Sequence, residues 1–129
     1  MIVRYLSVEE ITSANKIVVN LSGGGTGLRE PGMLESIINK PKAAFGGEDL
    51  YPDLFLKAAV LFEAIVNYHV FVDGNKRTAF VCMELFLSHN KVELAVSDQE
   101  IVDFCVDTAK NNPDLAEVAV WIKKHSIKN

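Results

Sequence analysis

Pro52-Asp53-Leu54-Phe55-Leu56-Lys57-Ala58-Ala59-Val60-Leu61-Phe62-Glu63-Ala64-Ile65-Val66-Asn67-Tyr68-His69 contains the most apolar stretch of a 129-residue chain, and its periodicity decides the fold class. Leu54, Ala58, Leu61, Phe62 and Ile65 recur at three- and four-residue spacing, which places them on one face of a helix running to about His69. Pro52 suits the first turn of that helix, where a missing N–H costs nothing. Lys57 and Glu63 interrupt the run between Leu54 and Val66, which is also too short to span a bilayer.

The flanking sequence is read in the same way. A helix from Lys76 to Asn90 turns Ala79, Cys82, Met83 and Phe86 inward, with Asn90 as its stop. Ser7-Val8-Glu9-Glu10 and Ser97-Asp98-Gln99-Glu100 are capping boxes, each flanked by a hydrophobic staple (Leu6 and Ile11, Val96 and Ile101). They predict helices over about 8–20 and 98–110, the second with Ile101, Val102, Cys105 and Ala109 at helical spacing. Pro31 suits the first turn of a helix carrying Met33, Leu34, Ile37 and Ile38 that closes at Pro41. A last helix follows Pro113 with Leu115, Val118 and Ile122. The expectation is an all-α, compact bundle of about six helices in one domain, residues 1–129. Lys42 to Leu50, with Gly46-Gly47, reads as a short hairpin or flap, and Val92 to Val96 as the only other strand. Ser22 to Gly27 reads as a flexible loop, because its glycines follow a helix and so lack the strand that a dinucleotide fingerprint needs.

Composition narrows the partners. A formal net charge of −4 argues against a general nucleic-acid binder, which carries a basic face. Met1 to Leu6 turns polar too soon for a signal peptide, and no membrane segment is expected. Cys82 and Cys105 lie in apolar surroundings without metal or redox spacing, so both read as reduced core thiols of a cytoplasmic protein.

The chemistry concentrates between the two longest helices, at His69-Val70-Phe71-Val72-Asp73-Gly74-Asn75-Lys76-Arg77. Gly74 permits a left-handed backbone. The N–H groups of Gly74, Asn75 and Lys76 precede a helix and can converge on an anion at the positive end of its dipole, with Lys76 and Arg77 adding full charges. The stretch reads as a phosphate cradle. His69 suits a general base near pH 7, and Asp73 suits Mg²⁺ shared with phosphate oxygens and water. Phe71, an aromatic in a polar loop, is expected to plug into the core and hold the loop's shape. Spacing alone leaves a second reading open: a helix-end histidine, a turn aspartate and a solvated basic first turn. It excludes a P-loop, which requires glycine where His69 stands, and it offers no paired ligands for zinc.

Read as His-x-Phe-x-Asp-Gly-Asn-Lys-Arg, the stretch resembles the signature of the Fic/Doc superfamily, with the death-on-curing (Doc) toxins the nearest match. Tyr5-Leu6-Ser7, Gly27 to Gly32, Phe45-Gly46-Gly47 and Tyr51 to Phe55 extend the resemblance over about residues 4 to 95. The resemblance implies that His69 deprotonates a hydroxyl of a target protein and that Asp73 holds Mg²⁺ on the nucleotide. Backbone amides from Gly74 to Lys76 and the Asn75 side chain would form the anion hole, and Arg77 would grip phosphate. Val70 stands where many members have proline. Lys76 and Phe80 stand where adenylyl-transferring members have glycine and a second arginine. The resemblance therefore implies a Doc-like, kinase-like transferase that moves the γ-phosphate of ATP onto elongation factor Tu and arrests translation. A protein adenylyltransferase and a non-catalytic phosphate-binding module are the alternatives. Thr26 to Glu30 is followed by Pro31 and makes a poor inhibitory helix, so the resemblance implies a separate Phd-like antitoxin.

Overall fold

Both capping boxes form, and each sets a helix start in the computed structural model, which describes residues 2–128. Ser7 accepts from the Glu10 N–H while Glu10 accepts from the Ser7 N–H, opening α1, Val8–Ser22. Ser97 and Glu100 repeat the exchange at α5, Asp98–Asn111. Between them lie α2, Met33–Asn39, α3, Leu54–Tyr68, and α4, Asn75–His89, while α6, Leu115–Lys124, follows. The six helices bear out the all-α bundle. No helix among the described residues is long and apolar enough to cross a membrane.

Two prolines sit just outside their helices. α2 starts at Met33 and α3 at Leu54, because Pro31 and Pro52 occupy the turns before them. The flap is a hairpin of β1, Ala44–Phe45, and β2, Glu48–Asp49, in the register Ala44↔Asp49. Gly46 (φ 61°) and Gly47 (φ 83°) make its two-residue turn, which needs positive φ at both positions. The second strand expectation was incomplete. β3, Val92–Leu94, pairs antiparallel with β4, Ser126–Lys128, a partner more than thirty residues away that local pattern could not reveal.

The core centres on α3, which packs on α4 and α6. It is buried nearly all round rather than along one stripe. Even Lys57 lies inside, 1% exposed, its ammonium donating to the Pro41 carbonyl (3.1 Å) and to Asp49 Oδ2 in β2 (3.2 Å). α5 is rotated from its expected face: Phe104 and Thr108 are buried, Ile101 and Cys105 half-buried, and Val102 and Ala109 exposed. Phe104 determines this rotation, stacking on Trp121 (4.0 Å) and packing on Phe62 (4.9 Å). Thr108 can be buried because its hydroxyl donates to the Phe104 carbonyl at 2.7 Å. Of the two thiols, Cys82 is core, pushed up to about 12 by burial and by nearby Glu10, whereas Cys105 is only half-buried.

Candidate active site

The loop from His69 to Gly74 joins α3 to α4 and is held on three sides. From within, Phe71 is 2% exposed and Val70 fully buried, so two consecutive residues of the loop anchor it in the core. From α4, the Asn75 carboxamide reaches back to Phe71, its Oδ1 accepting from the Phe71 N–H (3.1 Å) and its Nδ2 donating to the Phe71 carbonyl (3.0 Å). From α1, Asn15 Nδ2 donates to the Asp73 carbonyl (2.9 Å) and to Thr78 Oγ1 (3.1 Å). Asn15 is 2% exposed, a polar group on the apolar face formed by Ile11, Ala14, Val18 and Val19. That misplaced polarity was the signal in the sequence, and our reading passed over it.

The glycine loop after α1 is a support rather than a free linker. The Val72 N–H donates to the Gly27 carbonyl (3.1 Å), and Leu28 bridges Phe71. Gly24 lies so close to Asp73 that a Cβ there would meet the carboxylate, which would have to turn aside to admit it. Gly74, at φ 74°, packs against Val18 and Val19, where a Cβ would come within 3.2–3.3 Å of their methyls.

His69 ends α3 in the left-handed conformation (φ 48°, ψ 45°), unusual for a residue with a Cβ. The imidazole is exposed and has no hydrogen-bond partner among the described residues. Backbone strain of this kind clusters where the surrounding structure holds a residue for function. The cradle beside it differs by one residue from expectation. The Gly74 N–H is already taken by Asp73 Oδ1 (2.9 Å), so the converging donors at the start of α4 are those of Asn75, Lys76 and Arg77. The Asn75 side chain spends its acceptor and one donor on Phe71, and so its main work is to shape the loop.

Lys76 and Arg77 are exposed, without an ion pair among the described residues, and line the same cavity as His69 and Asp73, about 400 Å³ in volume. The Asp73 carboxylate keeps Oδ2 free of protein donors, a single hard oxygen suited to Mg²⁺ that takes the rest of its shell from phosphate and water. The Phe80 side chain turns into the core: it is 2% exposed, in edge contact with Phe104 (6.0 Å) and Trp121 (6.4 Å). The structure thus brings His69, Asp73, Lys76 and Arg77 to one cavity and removes Phe80 from it. A larger cavity, about 560 Å³ between α1 and α4, contains none of these residues.

Comparison with known proteins agrees with this architecture. The model of the Fic/DOC family matches residues 5–87, which hold the whole loop, all of α3 and all but the last two residues of α4. The chain is 38% identical to Toxin Doc of Mycolicibacterium smegmatis over 107 residues, 83% of this chain and 75% of that protein. It is 32% identical to the Protein kinase doc of Escherichia phage P1 over 121 residues, 94% of each chain.

Proposed function

We propose that this chain, which belongs to the Fic/DOC family, is a Doc-type toxin that transfers the γ-phosphate of ATP to a protein hydroxyl, with elongation factor Tu as the target and arrested translation as the effect. One observation carries the reading. A His69 imidazole without a partner among the described residues shares a cavity with two cations, Lys76 and Arg77, likewise without one among them, while the position that would add a deeper cation is a buried phenylalanine. The names of the two relatives, a toxin and a protein kinase, support it.

The chemistry follows from the residues. His69 takes the proton of the acceptor hydroxyl as its oxygen forms a bond to the γ-phosphorus. The bond from that phosphorus to the bridging oxygen breaks, and ADP leaves. The N–H groups of Asn75, Lys76 and Arg77 and the charges of the two cations meet the negative charge on the transferring group, a role in which positioning and preorganised electrostatics supply most of the acceleration. Asp73 would hold Mg²⁺, which when bound offsets phosphate charge. Phe80 leaves the deep end of the cradle without a second guanidinium, which counts against seating the β- and γ-phosphates there and the α-phosphate at His69, as adenylyl transfer requires. Restraint by a separate Phd-like antitoxin completes the proposal.

The test is to incubate the protein with Mg²⁺, bacterial lysate and ATP labelled in turn at the α- and γ-positions, subtracting a His69→Ala control. Label entering a protein band from the γ-position alone is the expected result. Label from the α-position would make the protein an adenylyltransferase, and label from neither would leave a phosphate-binding module.

A further inference from the structure

His69 stands between two cavities. One is the cradle; the other, about 370 Å³, is lined by Arg29, Glu30, Tyr68 and His69. The second exists because the chain ahead of α2 pairs with the motif loop. The N–H groups of Arg29 (2.7 Å) and Glu30 (3.1 Å) both donate to the carbonyl of the fully buried Val70. This pairing fixes the backbone of both residues beside the end of α3, leaving their side chains exposed. Among the described residues, Arg29 has no ion pair. Tyr68, on the facing wall, lies under the Lys40 ammonium at 5.3 Å from its ring centre.

A base that passes a hydroxyl to a phosphate must face both reactants, and charge decides which cavity serves which. The cradle sets two cations and a helix N-terminus against the one carboxylate of Asp73. The second cavity offers one guanidinium, Arg29, beside the Glu30 carboxylate, too little positive charge to seat a triphosphate but a partner for a single carboxylate on a peptide. We propose that the Arg29–Glu30–Tyr68 cavity is the acceptor subsite. It receives a peptide segment whose hydroxyl lies beside an acidic side chain, and the Arg29 guanidinium anchors that carboxylate through a bidentate pair. Arg29 is then a specificity-determining residue for the acceptor. This inference rests on the transferase reading above.

The experiment takes the protein that accepts label from ATP in the lysate and measures KM for this acceptor and KM for ATP separately. Arg29→Ala should raise the acceptor KM about tenfold, equivalent to ~1.4 kcal/mol, with the KM for ATP unchanged. Arg29→Lys should recover part of the loss, since it keeps the charge but not the planar fork. Neutralising the acidic residue nearest the modified hydroxyl should raise the acceptor KM similarly, and combining the two changes should add little. A KM for ATP that rises with Arg29→Ala, an acceptor KM that stays put, or a modified hydroxyl with no acidic neighbour would each overturn the acceptor subsite while leaving the transferase reading intact. If the wild-type protein labels no acceptor at all, the transferase reading falls and this inference falls with it.

Discussion

The Lys57 ammonium donates to the Pro41 carbonyl and to Asp49, and its side chain is 1% exposed, so substitution removes packing and charge together unless the two are separated. Methionine separates them, filling most of the volume of the stem without the charge. Removing one partner of a buried ion pair commonly costs about 3–5 kcal/mol, because the other charge is left stranded. That penalty is absent here: Asp49 is 52% exposed, and its carboxylate returns to water. What remains is one buried carbonyl without its donor, about 1–3 kcal/mol, offset in part by the desolvation that the ammonium no longer suffers. Lys57→Ala adds a cavity, on the order of 2–5 kcal/mol for a long side chain.

At about 3–5 °C per kcal/mol for a chain of this size, the alanine variant should melt at least ~6 °C below the methionine variant. Calorimetry of both variants is the assay, and equal midpoints would refute the separation of charge from packing. The alkaline limb gives an independent check. Burial pulls the Lys57 pKa down, but Tyr5 and Asp49 outweigh it, and the net shift is upward from 10.5. A raised folded pKa contributes stability that is fully present below the ordinary value and lost as pH rises through the folded one. The stability advantage of wild type over Lys57→Met should therefore shrink above pH 10.5.

Four further outcomes are expected. His69→Ala should lower transfer by about 10²–10⁴-fold in the labelled-ATP assay, with the melting midpoint moved by no more than ~2 °C, because the exposed imidazole bonds to none of the described residues. Phe71→Ala should lose both activity and about 3–5 kcal/mol of stability in urea titration, since the ring is 2% exposed. Asn15→Ala leaves the Asp73 carbonyl and the Thr78 hydroxyl without their donor, so denaturant unfolding should register a loss of about 1–3 kcal/mol, with a fall in kcat as the loop loosens. A disulfide reagent should titrate one thiol in the native protein, the half-buried Cys105, and two after denaturation, because Cys82 is both enclosed and pushed up to about 12.

How far the sequence could be read depended on how local each signal was. Ser7-x-x-Glu10 and Ser97-x-x-Glu100 form their reciprocal bonds within four residues, and Gly46-Gly47 turns its hairpin within two, so each was legible without knowing the fold. The site was legible for the same reason: His69, Asp73, Lys76 and Arg77 lie on one short loop and the first turn after it, and share a cavity wherever that loop is held. The burial of Lys57 was not legible, because the Pro41 carbonyl and Asp49 that make it tolerable come from separate segments.

By itself the sequence determined the six helices, the flap and the short loop that carries the candidate site, all set by backbone bonds and spacings that close over a few residues. Only tertiary structure decided which face α5 buries, that β3 finds its partner at the far end of the chain, and that Gly27 and Asn15 of distant segments hold the motif loop. These depend on which surfaces meet when the helices pack, and contacts between residues far apart in the chain leave no periodicity along it.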